Sequence, residues 1–275
     1  MNKILKKRTL APRVGEYVID APKVAKHAHP GQFIILRVDE EGERIPFTIC
    51  DYDRENGTVT ILVQEVGYST ACLALVPEGG FIADFVGPLG KPTDLTEYKK
   101  IVLVGGGIGS AVIYPQAKHL AATGNPATVL VGARNKELIM YEDEFRKAAK
   151  DLKIATDDGS YGVKGFVTDV LKEILENGET DCVMAVGPMA MMRAVSNLTR
   201  GYGVKTVVSM NPLMVDGTGM CGCCRVTVGG KTRYACVDGP EFDGHEIDWT
   251  EAMTRLTAYK QQEKEHLCRL TGEKR

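Results

Sequence analysis

The chain has 275 residues, 44% hydrophobic and 25% charged, the balance of a globular protein long enough to bury one large core or two to three small ones. Its formal net charge of -2, with no long basic run, argues against nucleic acid or an anionic membrane as partner. No stretch approaches the roughly 20 apolar residues of a membrane span, and the basic start lacks the apolar core of a signal peptide, so a cytoplasmic protein is expected.

In chain order, short runs rich in Val, Ile, Phe and Thr predict strands over 16–19, 32–38, 44–50 and 59–65. Turn clusters separate them, at His29-Pro30-Gly31, Glu40-Glu41-Gly42 and residues 51–57. That spacing suggests a small barrel or sandwich. Residues 70–76 read as a short bridging helix.

The texture changes near 92–99. Strands are expected at 100–104, 127–132, 153–156, 182–186 and 204–208. Helices are expected at 110–122, 142–150, 165–176 and 189–202. Alternation of this kind implies a doubly wound parallel sheet. A third segment, about 209–244, is rich in Gly and Cys and too small to hold itself by core burial, so it needs a staple. The tail, 248 to about 269, reads as one helix, capped by Asp248 with Glu251 at N3. Trp249, Met253, Leu256 and Tyr259 form its apolar stripe, suited to packing on the body or docking on a partner. The expected divisions are 1–97, 98–208 and 209–275.

Of the eight cysteines, four crowd between Cys221 and Cys236. Cys50, Cys72, Cys182 and Cys268 are scattered in apolar or helical patterns, as small core residues are. The plant-type ferredoxin spacing, C-x4-C-x2-C with a distant fourth ligand, falls on Asp216, Cys221, Cys224 and Cys236. Glycines at 217, 219 and 222 would let backbone N–H groups close on a cluster. Cys236 would return from the far side of a hairpin over 225–235 turning at Gly229-Gly230. A zinc knuckle, or a redox dithiol of Cys221 and Cys224, remains open on spacing alone. Asp216 could be a plain turn residue, with Cys223 as ligand in its place. A carboxylate among thiolates would tune the potential of a cluster.

Arg44-Ile-Pro46-Phe47-Thr48-Ile49 combines an arginine able to pair with a flavin phosphate, a hydroxyl within reach of the isoalloxazine and an aromatic able to lie against it. Such a string also serves as an ordinary strand. Gly67-Tyr68-Ser69-Thr70 opens a helix, where N–H groups suit an anion or a simple cap. Gly105-Gly106-Gly107-Ile108-Gly109 follows a strand and opens a helix, the context of a pyrophosphate turn. Ser110 holds the position of the third glycine. Arg134 follows the second strand where an acidic residue is usual, so NADH and NADPH are not separated by charge. None of the five histidines sits in a motif.

Taken together these motifs resemble the electron-transfer subunit of dihydroorotate dehydrogenase type B. They are still more similar to its relative, the small subunit of NADH-dependent ferredoxin:NADP oxidoreductase, a bifurcating, sulfide-dehydrogenase-like transhydrogenase. The likeness runs through Pro30-Gly31-Gln32-Phe33, Arg44 to Ile49, Gly87-Pro88-Leu89-Gly90, the glycine turn with Tyr114-Pro115, Thr156-Asp157-Asp158-Gly159-Ser160, Val186-Gly187-Pro188-Met189 and the cysteine segment. The resemblance implies a ferredoxin-reductase-like β-barrel FAD domain, a doubly wound NAD-binding domain, and a small 2Fe-2S module with a C-terminal helix. It places Arg44, Pro46, Phe47 and Thr48 on the FAD, with Gly67, Ser69 and Thr70 on its phosphates. Gly105, Gly106, Gly107, Ile108, Gly109, Asp157, Gly187 and Pro188 would face NAD(H). Asp216, Cys221, Cys224 and Cys236 would ligate the cluster. It further implies a larger partner subunit carrying flavin and iron–sulfur centres, and electrons passing between NAD(H), FAD, the cluster and that partner. Asp216 and the Trp249 helix favour the transhydrogenase branch over the dihydroorotate branch. A zinc-stapled flavin- or nucleotide-binding protein is the contrasting reading.

Overall fold

Alternating apolar residues build the first region. The computed structural model describes residues 1–178 and 180–271; residues 272–275, the end of the expected third segment, lie outside them. Strands β1 (Asn2–Ala11), β2 (Val14–Asp20), helix α1 (Pro22–His27), β3 (Phe33–Arg37), β4 (Ile45–Thr48), β5 (Asp51–Asp53), β6 (Thr58–Gln64), α2 (Tyr68–Leu75), β7 (Phe81–Ile82) and β8 (Asp84–Leu89) follow one another. They form a five-stranded sheet, β5-β6-β2-β1-β7, and a three-stranded sheet, β4-β3-β8. Ile4, Tyr17, Ile19, Ile34, Leu36, Ile49, Ile61 and Leu73 fill the core between them. The expected strand over 44–50 is shorter, because the chain turns after Thr48 and pairs again as β5 on β6.

The second region alternates strands and helices: β9 (Ile101–Gly106), α3 (Gly109–Ala122), β10 (Thr128–Ala133), α4 (Glu142–Ala148), β11 (Asp151–Thr156), β12 (Val163–Lys164), α5 (Val167–Asn177), β13 (Cys182–Val186), α6 (Met189–Gly201) and β14 (Lys205–Ser209). β9 and β13 are buried at every position, as interior strands of a parallel sheet are. The order is β12-β11-β10-β9-β13-β14, parallel throughout. Side chains alternate between two cores. Leu103, Val129, Val131 and Met184 meet α3 and α4, while Val102, Val104, Leu130 and Val183 meet α5 and α6.

The third region is β15 (Arg225–Val228), β16 (Lys231–Tyr234), α7 (Ala235–Asp238), β17 (Glu241–Asp243), α8 (Trp249–Arg255) and α9 (Lys260–Thr271). β15 and β16 make the expected hairpin, with Gly229 and Gly230 both at positive φ. β17 returns to the large sheet and runs antiparallel to β14. Cys224, Val226, Cys236, Ile247, Trp249 and Ala252 share one core with α5 and α6.

The single C-terminal helix expected from periodicity is two helices. Asp248 caps α8 by accepting from the N–H groups of Thr250 and Glu251 at 3.1 and 3.0 Å. The helix ends where the hydroxyls of Thr254 and Thr257 bond back to the carbonyls of Thr250 and Thr254. The N–H groups of Thr257 and Ala258 reach only three residues back, a tightened turn that breaks the helix. The apolar stripe divides accordingly: Trp249 is buried and Met253 packs on the core, but Leu256 and Tyr259 are exposed. α9 lies beside α2.

Candidate functional site

The large sheet changes winding direction between β9 and β13, and ligands of doubly wound sheets bind at such a switch point. β9 ends there in Gly106, and Gly187 follows directly after the last residue of β13. A Cβ on Gly109 would stand 2.2 Å from the Val186 carbonyl oxygen and 2.9 Å from Gly187 Cα. One on Gly105 would stand 2.6 Å from Ser110 Cα, and one on Gly106 would meet the Met191 sulfur at 2.3 Å. Gly107, at φ +55, has no atom within 4 Å on its Cβ side, so the crest of the turn is open. Ser110, in place of the third glycine, is fully buried and donates its hydroxyl to the Gly107 carbonyl, tightening the turn. The structure therefore brings Gly105, Gly106, Gly107, Ile108 and Gly109 together with Gly187 and Pro188. Asp157 stands apart, exposed at the end of β11, its N–H on the Ala133 carbonyl at 3.0 Å.

The flavin string divides by face. β4 pairs with β3 in the register Thr48–Phe33, Phe47–Ile34, Pro46–Ile35. Ile45, Phe47 and Ile49 pack into the barrel core with Ile34 and Leu36. Pro46 and Thr48 share the other face with Phe33 and Ile35, which belong to the core of the cysteine segment. Phe47, expected against the flavin, is partly buried and packs on the barrel-core side of its strand. Arg44 is half-exposed, 3.8 Å from Asp84, whose closer partner is Arg37 at 2.6 Å.

At the start of α2, Thr70 Oγ1 accepts from the N–H groups of Val66 and Gly67, both at 3.0 Å, and donates to the Gly67 carbonyl. Thr70 thus shapes the turn. The Ser69 hydroxyl donates to the Glu43 carboxylate at 2.9 Å, so an anionic group already sits at this helix start. The turn borders a cleft of about 420 Å³ lined by residues 38–43, Tyr68, Ser69 and Cys72. The carboxylates of Asp39, Glu40, Glu41 and Glu43 on its wall work against a further anion.

The cysteine loop folds over these elements. Gly217, at φ +75, rests where a Cβ would stand 2.8 Å from Leu89 and 2.9 Å from Ile35, the residue sharing a face with Pro46 and Thr48. Cys224 and Cys236 are buried with their sulfurs 3.1 Å apart. Burial and the neighbouring Cys224 push the Cys236 thiol up to about 12, while the Gly219 N–H pulls the other way. Asp216 accepts from the N–H groups of Thr218 and Cys221, both at 2.8 Å, and the Thr218 bond leads in holding its carboxyl below the usual range. Cys221 is exposed and Cys223 half-buried beside it.

Among the described residues no three His, Cys, Asp or Glu side chains stand together as a metal site. The expected ligands come as two pairs, Cys224 with Cys236 of α7 across the β15–β16 hairpin, and Asp216 with the backbone of Cys221. The donor set nevertheless fits an iron–sulfur group: soft thiolates predominate, and the buried Nε of Arg255 has no partner beside the loop. Two residues escaped the sequence reading. Arg255 lay in a charged tail pattern, and Glu241, whose Oε1 is enclosed without a partner, lay past the cysteine motif.

Residues 211–248 match the iron-sulfur cluster binding domain of dihydroorotate dehydrogenase B, and residues 103–197 match an oxidoreductase NAD-binding domain. An uncharacterized Clostridium beijerinckii protein is 52% identical over 96% of this chain and 92% of its own. A Thermotoga maritima homolog of the dihydroorotate dehydrogenase B electron transfer subunit is 46% identical over 99% and 98%. The electron transfer subunit of that enzyme from Geobacillus thermodenitrificans is 35% identical over 89% and 96%. A chain from the structure of NADH-dependent reduced ferredoxin-NADP oxidoreductase, solved for flavin-based electron bifurcation, superposes with TM-score 0.94 at 46% identity, covering 98% of each. Phthalate dioxygenase reductase shares the fold, with TM-score 0.64 at 18% identity over 90% and 97%. Among the described residues no helix is long and apolar enough to cross a membrane. With these likenesses spanning almost its whole length, the chain belongs to the family of dihydroorotate dehydrogenase B electron transfer subunits and their homologues.

Proposed function

We propose that this chain is the electron-transfer flavoprotein subunit of a cytoplasmic complex, moving electrons between NAD(H), FAD and a 2Fe-2S cluster to a larger partner that carries flavin and iron–sulfur centres. The observation that carries this reading is the contact of Gly217, on the cysteine loop, with Ile35 and Leu89, beside the face that presents Pro46 and Thr48. One β-strand face thereby adjoins both the proposed flavin site and the proposed cluster.

When bound, the flavin exchanges electron pairs with the nicotinamide and single electrons with the cluster, chemistry that belongs to the cofactor. The chain's residues bind and orient. Gly105 to Gly109 with Gly187 and Pro188 make a narrow backbone crevice for the pyrophosphate and nicotinamide, and Asp157 stands at the outer end of the same sheet edge. Thr48 offers a hydroxyl, and Pro46 a rigid flat surface, to the flavin ring. Gly67, Ser69 and Thr70 form the turn for its phosphates, with Arg44 as counter-charge once Glu43 yields Ser69. Cys221, Cys224, Cys236 and Asp216 hold the cluster, and Asp216, keeping its charge, sets its potential. No general acid or base is needed, and none is assigned.

The transhydrogenase branch is favoured over the dihydroorotate branch by aspartate at the first ligand position and by the 46% identity over 98% of the ferredoxin-NADP oxidoreductase chain. The test is anaerobic affinity purification of the tagged chain from its native cells, with identification of the subunit that co-purifies. Flavin, iron and sulfide in the complex, bleaching by NADH, and a partner that reacts with NADP(H) are expected. Flavin-loaded material without iron would overturn the cluster, and a partner that oxidises dihydroorotate would overturn the branch.

A further inference from the structure

Helix α8 ends on the cysteine loop. Its first turn is fixed by the Asp248 cap and by the Trp249 indole, which donates to the Gly244 carbonyl at 3.1 Å. Ala252 is buried one turn on, so the register of the helix against the core is set. That register delivers Arg255, the last residue of α8, to the Cys223 carbonyl, to which its terminal nitrogen donates at 3.0 Å. Its Nε is buried with no partner among the described residues, an arrangement that is costly for a charged group. A group held at such cost beside a loop built to carry a ligand lacks an acceptor that the ligand can supply.

We propose that Arg255 is a positioning residue for the iron–sulfur cluster and a determinant of its reduction potential. The inference rests on the ligand assignment made above. A trans peptide holds its C=O and N–H on opposite sides, so pinning the Cys223 carbonyl to Arg255 turns the N–H of the ligand Cys224 the other way. On the neighbouring peptide Arg225 takes the Gly222 carbonyl at 3.3 Å, so two guanidinium groups draw consecutive carbonyls outward. The Nε–H of Arg255, buried beside the loop without a partner among the described residues, remains as a donor for a negatively charged group held by the loop, and such charge-assisted bonds are the stronger kind. Its permanent positive charge favours the cluster form carrying one more electron. Both effects raise the potential.

The experiment is an EPR-monitored redox titration of the anaerobically prepared, flavin-loaded full chain and of Arg255→Met, Arg255→Gln and Arg255→Lys. In Met and Gln the reduced-to-oxidised ratio at fixed ambient potential is expected to fall at least tenfold, which for one electron is a shift of about 59 mV. Lys, retaining the charge without the planar fork, should recover most of that ratio. An unchanged midpoint in Met or Gln, or an equal fall in Lys, overturns the proposal. If the Met variant fails to accumulate a cluster, Gln decides, because it keeps a donor for the Cys223 carbonyl. Wild-type protein without iron or an EPR signal would instead withdraw the ligand assignment itself, before any variant is compared.

Discussion

Replacing Gly109 with alanine tests the crevice between β9 and β13 most directly. The new Cβ would lie 2.2 Å from the Val186 carbonyl oxygen, and real contacts are essentially never below 3.0 Å, so the start of α3 and the end of β13 must part by at least 0.8 Å. Both neighbours are backbone, so no rotamer change relieves the clash. Overpacking of this kind costs about 1–3 kcal/mol, and each kcal/mol lowers Tm by about 2–4 °C in a chain of this size. The parted ends also carry the proposed pyrophosphate turn, so NADH should bind at least about tenfold more weakly, a loss of about 1.4 kcal/mol. Gly107→Ala is the informative companion. It meets no atom, but holding alanine at φ +55 costs about 1–2 kcal/mol at the crest where the nucleotide would approach. Thermal unfolding followed by fluorescence, with NADH titrations by calorimetry, reads both quantities. A Gly109→Ala protein with wild-type Tm and wild-type NADH affinity would refute the crevice.

The two faces of β4 should respond differently: Phe47→Ala should cost about 2 kcal/mol in denaturant unfolding, roughly half that of emptying a fully buried ring, with FAD affinity little changed. Thr48→Val should leave unfolding unchanged and weaken FAD about fivefold, the equivalent of one hydrogen bond of about 1 kcal/mol. Glu43→Gln removes the carboxylate at the start of α2 and should tighten FAD several-fold in a fluorescence-quenching titration; equal or weaker binding would exclude the phosphates from that turn. Burial pushes the Glu241 carboxyl up from 4.5 to about 8, so between those values the folded chain keeps a proton that the unfolded chain releases. Stability attributable to Glu241 is therefore full at low pH and lost as pH rises toward about 8, and Glu241→Gln should flatten that fall in a Tm-versus-pH series.

The doubly wound sheet was legible because its interior strands are continuous apolar runs and its helices carry apolar stripes at helical spacing. The cysteine spacing was legible for a similar reason, since ligand geometry constrains the sequence locally. β1 was not. Lys3, Lys6, Lys7 and Arg8 hide its pattern, and only Ile4 and Ala11 are buried, so the strand forms largely through pairing with β2. β8 was masked by Gly87 and Pro88, residues that ordinarily mark turns. The break after α8 was missed because periodicity registers side-chain spacing and not the competition of threonine hydroxyls for helix carbonyls. Which face of β4 meets a ligand needed the register with β3, a long-range fact that no local string contains.

Because Cys224 and Cys236 are rooted in the same core as Val102 and Val195, the cysteine segment is no detachable cassette. Excised alone, residues 209–271 would surrender the apolar floor on which the hairpin stands. Evolution could exchange this segment between reductases only together with the α5–α6 surface beneath it. Engineers who wish to graft a different module onto this scaffold face the same constraint, and must recut that floor to match.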